Sequence, residues 1–193
     1  GFSHPPYDSF NLAQHVGDDK YLVNKNRQLL PNYQNFIWLN QTHSNICVDL
    51  DMIDNVIDGT LQADACFSTR KSQVCAVMTA DCLPILLCDN QGTCVAAVHA
   101  GWRGLANGVI ENTVSKMPIH ANNLIAWIGP AISQRHFEVG KEVKEAFIDY
   151  PQAFSQKTEE KYFTDLYYIA KQKMSDLGIS RVFGGEYCTY QQA

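Results

Sequence analysis

Residues 73–109 read QVCAVMTADCLPILLCDNQGTCVAAVHAGWRGLANGV, and this stretch determines the predicted fold. It contains short apolar runs separated by polar or glycine-containing breaks, which is typical of strands. These runs are residues 74–78, 85–88 and 94–98. Their near-continuous apolarity predicts strands that are covered on both faces. After Gly101 the apolar positions recur every four residues, so a helix is predicted over residues 101–117.

The same criteria, applied outward from this stretch, predict alternating strands and helices. The further strands are predicted at residues 36–39, 46–50, 65–67, 124–128 and 181–184, and the further helices at residues 21–30, 138–148 and 162–177. This alternation predicts an α/β or α+β fold, in which a mixed sheet forms a layered core flanked by helices. The length of 193 residues, without an internal repeat or linker, predicts a single domain over residues 1–193.

Composition excludes several classes of protein. The formal charge is −5 and lysine and arginine form no cluster, so a nucleic-acid partner is not expected. No apolar run approaches the roughly 20 residues of a membrane helix, so no membrane partner is expected either. The seven cysteines are an odd number and lack the spacing of a disulfide framework. Reduced thiols in a cytoplasmic protein are therefore predicted.

Three side chains form a candidate metal site. Cys82 follows the first apolar run of the central stretch, His99 follows the last, and His43 lies between two predicted strands. Two imidazoles and a thiolate suit zinc, and three protein ligands leave a position open for water or substrate, as in catalytic sites. Their wide separation along the chain argues against a zinc finger, whose ligands come in close pairs.

The turn after His99 is a candidate anion site. The sequence Gly101-Trp102-Arg103-Gly104 opens the predicted helix, and the start of a helix offers unpaired N–H groups to an anion. Arg103 would add a planar guanidinium that binds phosphate or carboxylate through two hydrogen bonds. The alternative is an exposed arginine with no ligand.

Several motifs, taken in order, resemble those of the laccase-domain (YfiH-like) family. They are Gln41-Thr42-His43, Ala63-Asp64-Ala65, Thr79-Ala80-Asp81-Cys82-Leu83-Pro84, His99-Ala100-Gly101-Trp102-Arg103-Gly104, Ile128-Gly129-Pro130-Ala131-Ile132 and Phe137-Glu138-Val139-Gly140. Each motif alone is weak, but their order and combination are specific. After Cys188-Thr189-Tyr190 the family usually continues into a Phe-Ser-Tyr-Arg-Arg segment, so we expect the chain to be clipped at both ends.

The resemblance implies a zinc ion bound at the positions of His43, Cys82 and His99. It also implies phosphorolysis of purine nucleosides (adenosine, inosine, guanosine and methylthioadenosine) with phosphate, and deamination of adenosine. Substrate binding is then expected from Gln41, Gly101 and Arg103. Other family members are credited with an amidase activity that edits peptidoglycan precursors, and a copper polyphenol oxidase label also accompanies the family.

The residues favour some of these activities over others. A multicopper oxidase needs many histidines, and this chain has 6, so copper is disfavoured as the cofactor. Phosphorolysis needs a positioned phosphate, for which Arg103 is the catalytic candidate. Deamination needs a proton shuttle beside the metal, for which the nearest acids are Asp81 and Asp64.

Two further alternatives remain open at this stage. In a metal-free thiol hydrolase, Cys82 would be the nucleophile and His99 the base. In a binding or structural domain, the metal would have a closed set of four ligands.

Overall fold

The computed structural model describes residues 1–53 and 59–192. The chain divides into two compact units, Gly1–Phe36 and Ile37–Ala193. The expectation of a single domain stays a prediction.

The first unit is built around one buried asparagine. The Asn26 side chain accepts a hydrogen bond from the Phe2 backbone (2.7 Å) and donates to Ser3 Oγ and to the Asn11 carbonyl (both 2.9 Å). Asn26 lies on helix α1 (Lys20–Gln28), which begins after Asp19, whose carboxylate accepts from Tyr21 N. The predicted helix at residues 21–30 is confirmed, with an end two residues earlier.

Strands of the second unit form a mixed sheet, as predicted. The strands of the chain are β1 (Phe36–Ile37), β2 (Cys47–Asp49), β3 (Ala65–Ser68), β4 (Val74–Cys75), β5 (Leu83–Asp89), β6 (Val95–Ala100), β7 (Leu124–Ile128), β8 (Glu138–Val139), β9 (Phe154–Gln156), β10 (Tyr162–Thr164) and β11 (Arg181–Gly184). The main sheet has the order β11-β7-β5-β6-β3-β2. Its outer pairs are parallel and its three inner pairs antiparallel. Two smaller sheets have the orders β1-β4 and β8-β10-β9.

Helices cover one face of the main sheet. They are α2 (Trp102–Ala106), α3 (Val109–Lys116), α4 (Lys141–Ala146) and α5 (Leu166–Asp176). Apolar side chains of α3 and α5, such as Ile110 and Ile169, share one buried cluster with Ile85, Val98 and Ile128 of the sheet. This cluster is the main core. None of the described helices combines the length and the apolarity that crossing a bilayer would require.

Three predicted helices are too long. The helix predicted at residues 101–117 is two helices, because Gly108 between them has a left-handed backbone (φ 83°). The segments predicted as helices at residues 138–148 and 162–177 each begin with a short strand instead. Those strands, β8 and β10, pair with each other, and a helical period in the sequence carries no information about such a pairing.

The expectation that the strands are covered on both faces is wrong for half of the sheet. Leu86, Trp127 and Phe183 lie side by side on β5, β7 and β11, and these residues are 45%, 45% and 57% exposed. The other half of this face is covered by a second buried cluster that includes Leu39 and Leu50. Apolar composition alone could not distinguish the two halves. All seven cysteines are free thiols, as predicted.

Candidate metal centre

The three predicted ligands come together from three separate segments. His43 lies between β1 and β2, Cys82 directly precedes β5, and His99 lies within β6. The antiparallel register pairs Leu83 with Ala100, which places Cys82 beside the end of β6. Two details of the prediction are corrected: Cys82 precedes the start of a strand where the end of one was expected, and His99 belongs to the strand itself because β6 continues to Ala100.

The distances between the ligand atoms suit a metal ion. One donor atom from each of the three residues lies within 4.8 Å of the other two, and this is the one such group in the described residues. His43 Nε2 and Cys82 Sγ are 3.9 Å apart. Zinc–ligand bonds of about 2.3 Å to sulfur and 2.0 Å to nitrogen, at a tetrahedral angle, require about 3.5 Å. This pair of donors therefore fits zinc after a small side-chain adjustment.

The site has a buried side and a solvent side. His99 is 4% exposed, whereas Cys82 is half-buried and His43 is exposed. Three protein donors with one accessible side are typical of a catalytic site, in which water or substrate completes the coordination.

Gly101 lets the backbone pass close to two of the ligands. A Cβ atom at this position would lie 3.0 Å from His43 Cδ2 and 3.1 Å from Cys82 Sγ. Any larger residue would therefore push against both ligands. The predicted role of Gly101 in substrate binding stays a prediction, and its observed contacts are with the ligands.

Asp64 lies directly behind the ligands, buried at the entry to β3. Its carboxylate accepts a hydrogen bond from His99 Nδ1 at 2.8 Å. Burial alone would raise the pKa of Asp64, but the hydrogen bonds from His99 and Ser44 lower it to about 2. Burial likewise lowers the pKa of His99, but the hydrogen bonds with Asp64 and Cys82 outweigh it and raise the pKa to about 9. Asp64 is thus a poor proton shuttle, because its carboxylate is already engaged.

The side chain of Gln41 pairs with the backbone of Met78. Its Nε2 donates to the Met78 carbonyl (2.8 Å), and its Oε1 accepts from the Met78 N–H (2.7 Å). These bonds tie the loop that carries His43 to the segment that leads to Cys82. Substrate binding by Gln41 stays a prediction.

Asp81 and Arg103, the predicted catalytic residues, are both exposed. Asp81 Oδ1 accepts a hydrogen bond from Thr189 Oγ1 (2.5 Å). The Arg103 guanidinium lies over the Trp102 ring, 4.3 Å from its centroid. Helix α2 has only five residues, so its dipole is small and an anion site there would depend on Arg103 itself. The catalytic roles of both residues stay predictions.

An apolar cavity of about 160 Å³ adjoins Cys82. Its lining residues are Asp81, Cys82, Trp102, Ile132, Phe137 and Leu166. Sequence reasoning did not identify Ile132, Phe137 or Leu166 as site residues. Two of them lie in motifs of the family resemblance, but they come from separate segments and share no spacing that could have indicated a cavity.

Known proteins resemble this chain in sequence and in fold. A family model described as multi-copper polyphenol oxidoreductase laccase matches residues 1–193. Purine nucleoside phosphorylase YfiH of Shigella flexneri is 46% identical over 200 residues, which cover 100% of this chain and 81% of the relative. The protein of the same name from Escherichia coli K12 is 45% identical with the same coverage. A crystal structure of a Neisseria meningitidis protein has a TM-score of 0.93 at 40% identity, covering 100% of this chain and 81% of that one.

Proposed function

The chain belongs to the multi-copper polyphenol oxidoreductase laccase family, and from that premise we propose that it is a zinc-dependent purine nucleoside phosphorylase. The observation that carries the proposal is the open group of His43, Cys82 and His99 beside an aromatic cavity. The names of the bacterial relatives support the nucleoside and phosphate substrates. The cytoplasmic location stays a prediction, and so does the expectation that neither nucleic acid nor a membrane is a partner.

Zinc is the metal that the donor set favours. Imidazole and thiolate ligands bind zinc well, and the ion would act as a Lewis acid that polarises an oxygen atom of a substrate or of water. A multicopper centre would need several metal groups. Residues 1–53 and 59–192 contain one group of three His, Cys, Asp or Glu side chains that could hold a metal.

The cavity suits the flat base of a nucleoside. Trp102 and Phe137 provide aromatic walls, on which a planar ring can stack. A volume of about 160 Å³ is below the roughly 300–1,000 Å³ of pockets that enclose whole ligands. One ring system would fill it, and the ribose and phosphate would lie outside, toward the exposed Asp81 and Arg103.

The proposed reaction is the phosphorolysis of the nucleoside. An oxygen of phosphate forms a bond to C1′ of the ribose, the bond between C1′ and N9 breaks, and the base leaves with a proton. Arg103, whose guanidinium lies over the Trp102 ring of the cavity wall, would bind the phosphate through two hydrogen bonds. Asp81 at the rim of the cavity is the candidate for the hydrogen bond or proton at the base. The products are a free purine and ribose 1-phosphate.

Chromatography of the products tests the proposal. Zinc-loaded protein, incubated separately with adenosine, inosine, guanosine and methylthioadenosine, should release the base and the sugar 1-phosphate only when phosphate is present. Removal of zinc with a chelator should abolish the release, and added zinc should restore it. Inosine formed from adenosine would reveal the deaminase activity. No reaction with any nucleoside, together with release of an amino acid from a nucleotide-linked muropeptide, would favour the amidase.

A thiol hydrolase is the second candidate, and a specific contact favours it. Asp64 bonds to His99 Nδ1, and His99 in turn bonds to Cys82, which is the order of a Cys-His-Asp triad. Iodoacetamide labelling of Cys82, followed by peptide mass spectrometry, separates the two candidates. A metal ligand is protected by zinc and labelled after chelation, whereas a metal-free nucleophile is labelled equally in both states.

A further inference from the structure

The Asp64 carboxylate binds the segments that carry both histidines. Oδ1 accepts from His99 Nδ1 (2.8 Å) and from His43 N (3.0 Å). Oδ2 accepts from Thr42 N (3.1 Å), Ser44 N (2.6 Å) and Ser44 Oγ (2.7 Å). A carboxylate offers about four lone-pair sites, so five donors leave none of these sites free.

The backbone of Asp64 strengthens the same connection. Its carbonyl accepts from His99 N at 2.7 Å, and its N–H donates to the Ile46 carbonyl at 3.0 Å. Asp64 therefore joins residues 42–46 to β6 through both its side chain and its main chain. These two segments are distant in sequence and each contributes one histidine.

The two histidines depend on Asp64 in different ways. The hydrogen bond between His99 Nδ1 and Asp64 fixes the orientation of the ring and leaves Nε2 as the nitrogen that can bind a metal together with Cys82 and His43. His43 instead has a left-handed backbone (φ 60°), a conformation that is uncommon for a residue other than glycine. Three consecutive N–H groups, from Thr42 to Ser44, converge on the carboxylate and fix this turn.

We propose that Asp64 is a positioning residue that holds His43 and His99 together in the arrangement a metal requires, before any metal binds. This inference rests on the metal site proposed above. It assigns Asp64 no contact with the substrate or the metal.

Asp64→Asn tests the inference because it preserves the size of the side chain and changes only its acceptors. An amide NH₂ group would replace one carboxylate oxygen. It would face N–H groups from which it cannot accept a hydrogen bond. We expect zinc affinity, measured by competition with a chromophoric chelator, to fall about 10- to 100-fold, the usual effect of losing the hydrogen-bond partner of a metal-bound histidine. Ser44→Ala removes one of the five bonds and should cause a smaller loss.

Asp89→Asn is the matched control. Asp89 is also buried, and it accepts backbone hydrogen bonds from Gln91, Thr93 and Cys94. It lies at the far end of β5 from Cys82, about 20 Å away at the rise per residue of a strand. This variant should lose stability but keep the zinc affinity of the wild type.

Hydrogen exchange of the zinc-free protein tests Asp64 independently of the metal. The amides of Thr42, His43 and Ser44 should exchange slowly in the wild type and in Asp89→Asn, and much faster in Asp64→Asn. If the wild type binds no zinc, the proposed function fails while this comparison still tests the positioning. Equal zinc affinities in Asp64→Asn and Asp89→Asn, or unchanged protection of the three amides in Asp64→Asn, would overturn the inference.

Discussion

At the scale of single residues, the grouping of three candidate metal ligands could be predicted from sequence, and the hydrogen bonds that connect their segments could not. His43, Cys82 and His99 have side chains whose chemistry indicates a metal, and the family resemblance places them together. Asp64 stands between two alanines, and its five hydrogen bonds arise only when three segments meet. The role proposed for Asp64 rests on this geometry, which no spacing in the sequence encodes.

Gly101→Ala should weaken the metal site. The new Cβ would lie 3.0 Å from His43 Cδ2 and 3.1 Å from Cys82 Sγ, so one ligand must move. Overpacking of this kind costs about 1–3 kcal/mol, which corresponds to a loss of zinc affinity of about 5- to 150-fold. Competition with a chelator measures the loss of zinc affinity. Thermal unfolding with and without zinc distinguishes this loss from a general loss of stability at the start of the helix. Wild-type zinc affinity in the variant would show that the ligands are not held as closely as described.

At the scale of elements, sequence predicted which segments are regular but not where they begin and end. The period of residues 162–177 indicates a helix, yet its first three residues form β10 and α5 begins only at Leu166. Asp165 caps this helix by accepting a hydrogen bond from Tyr168 N at 2.9 Å. The strand forms because Tyr162 pairs with both Val139 and Gln156. Such contacts between distant segments override local propensity.

The break between α2 and α3 depends on Gly108. Its φ of 83° is unfavourable for any residue with a Cβ, while the nearest atom to such a Cβ is Glu111 Oε2 at an ordinary 3.6 Å. Gly108→Ala should therefore lower the free energy of unfolding by about 1 kcal/mol through the backbone alone. Denaturant unfolding measures this change. Gly178→Ala is the control, because Gly178 has a φ of 89° and open space around it. A Gly108→Ala variant as stable as the wild type, beside a destabilised Gly178→Ala, would contradict this explanation.

The turn between β5 and β6 should depend on the charge of Asp89. Burial raises the pKa of this carboxyl, but hydrogen bonds from Cys94 and Thr93 outweigh that effect and hold the pKa below its usual value of 3.8. A lowered pKa in the folded state contributes stability at pH values above the unfolded-state pKa, and this contribution is lost as the pH falls through the folded-state pKa.

The Asp89→Asn variant should therefore have a lower Tm than the wild type at pH 7. The difference should shrink as the pH falls below about 4, where the carboxyl becomes protonated. Thermal unfolding followed by circular dichroism across this range is the measurement. A difference in Tm that stays constant down to pH 2 would show that the charge of Asp89 does not stabilise the turn.

At the scale of the whole molecule, the alternation of strands and helices in the sequence predicted the layered α/β class and the mixed sheet. It did not predict which parts of the sheet are covered by other residues. The face that carries Leu86, Trp127 and Phe183 is exposed, whereas the neighbouring strands of the same face are covered. Both halves have similarly apolar sequences. The fold nevertheless positions the site, because β5 and β6 are antiparallel neighbours that bring Cys82 and His99 to one end of the sheet.

Elemental analysis of purified protein tests the central claim most directly, since the proposed chemistry requires one metal held by His43, Cys82 and His99. We predict one zinc per chain in the wild type, and loss of nearly all zinc in each of His43→Ala, Cys82→Ala and His99→Ala, with circular dichroism confirming that the variants are folded. One zinc per chain retained in any of the three variants would remove that residue from the site. A folded wild type that takes up no zinc would contradict the account as a whole.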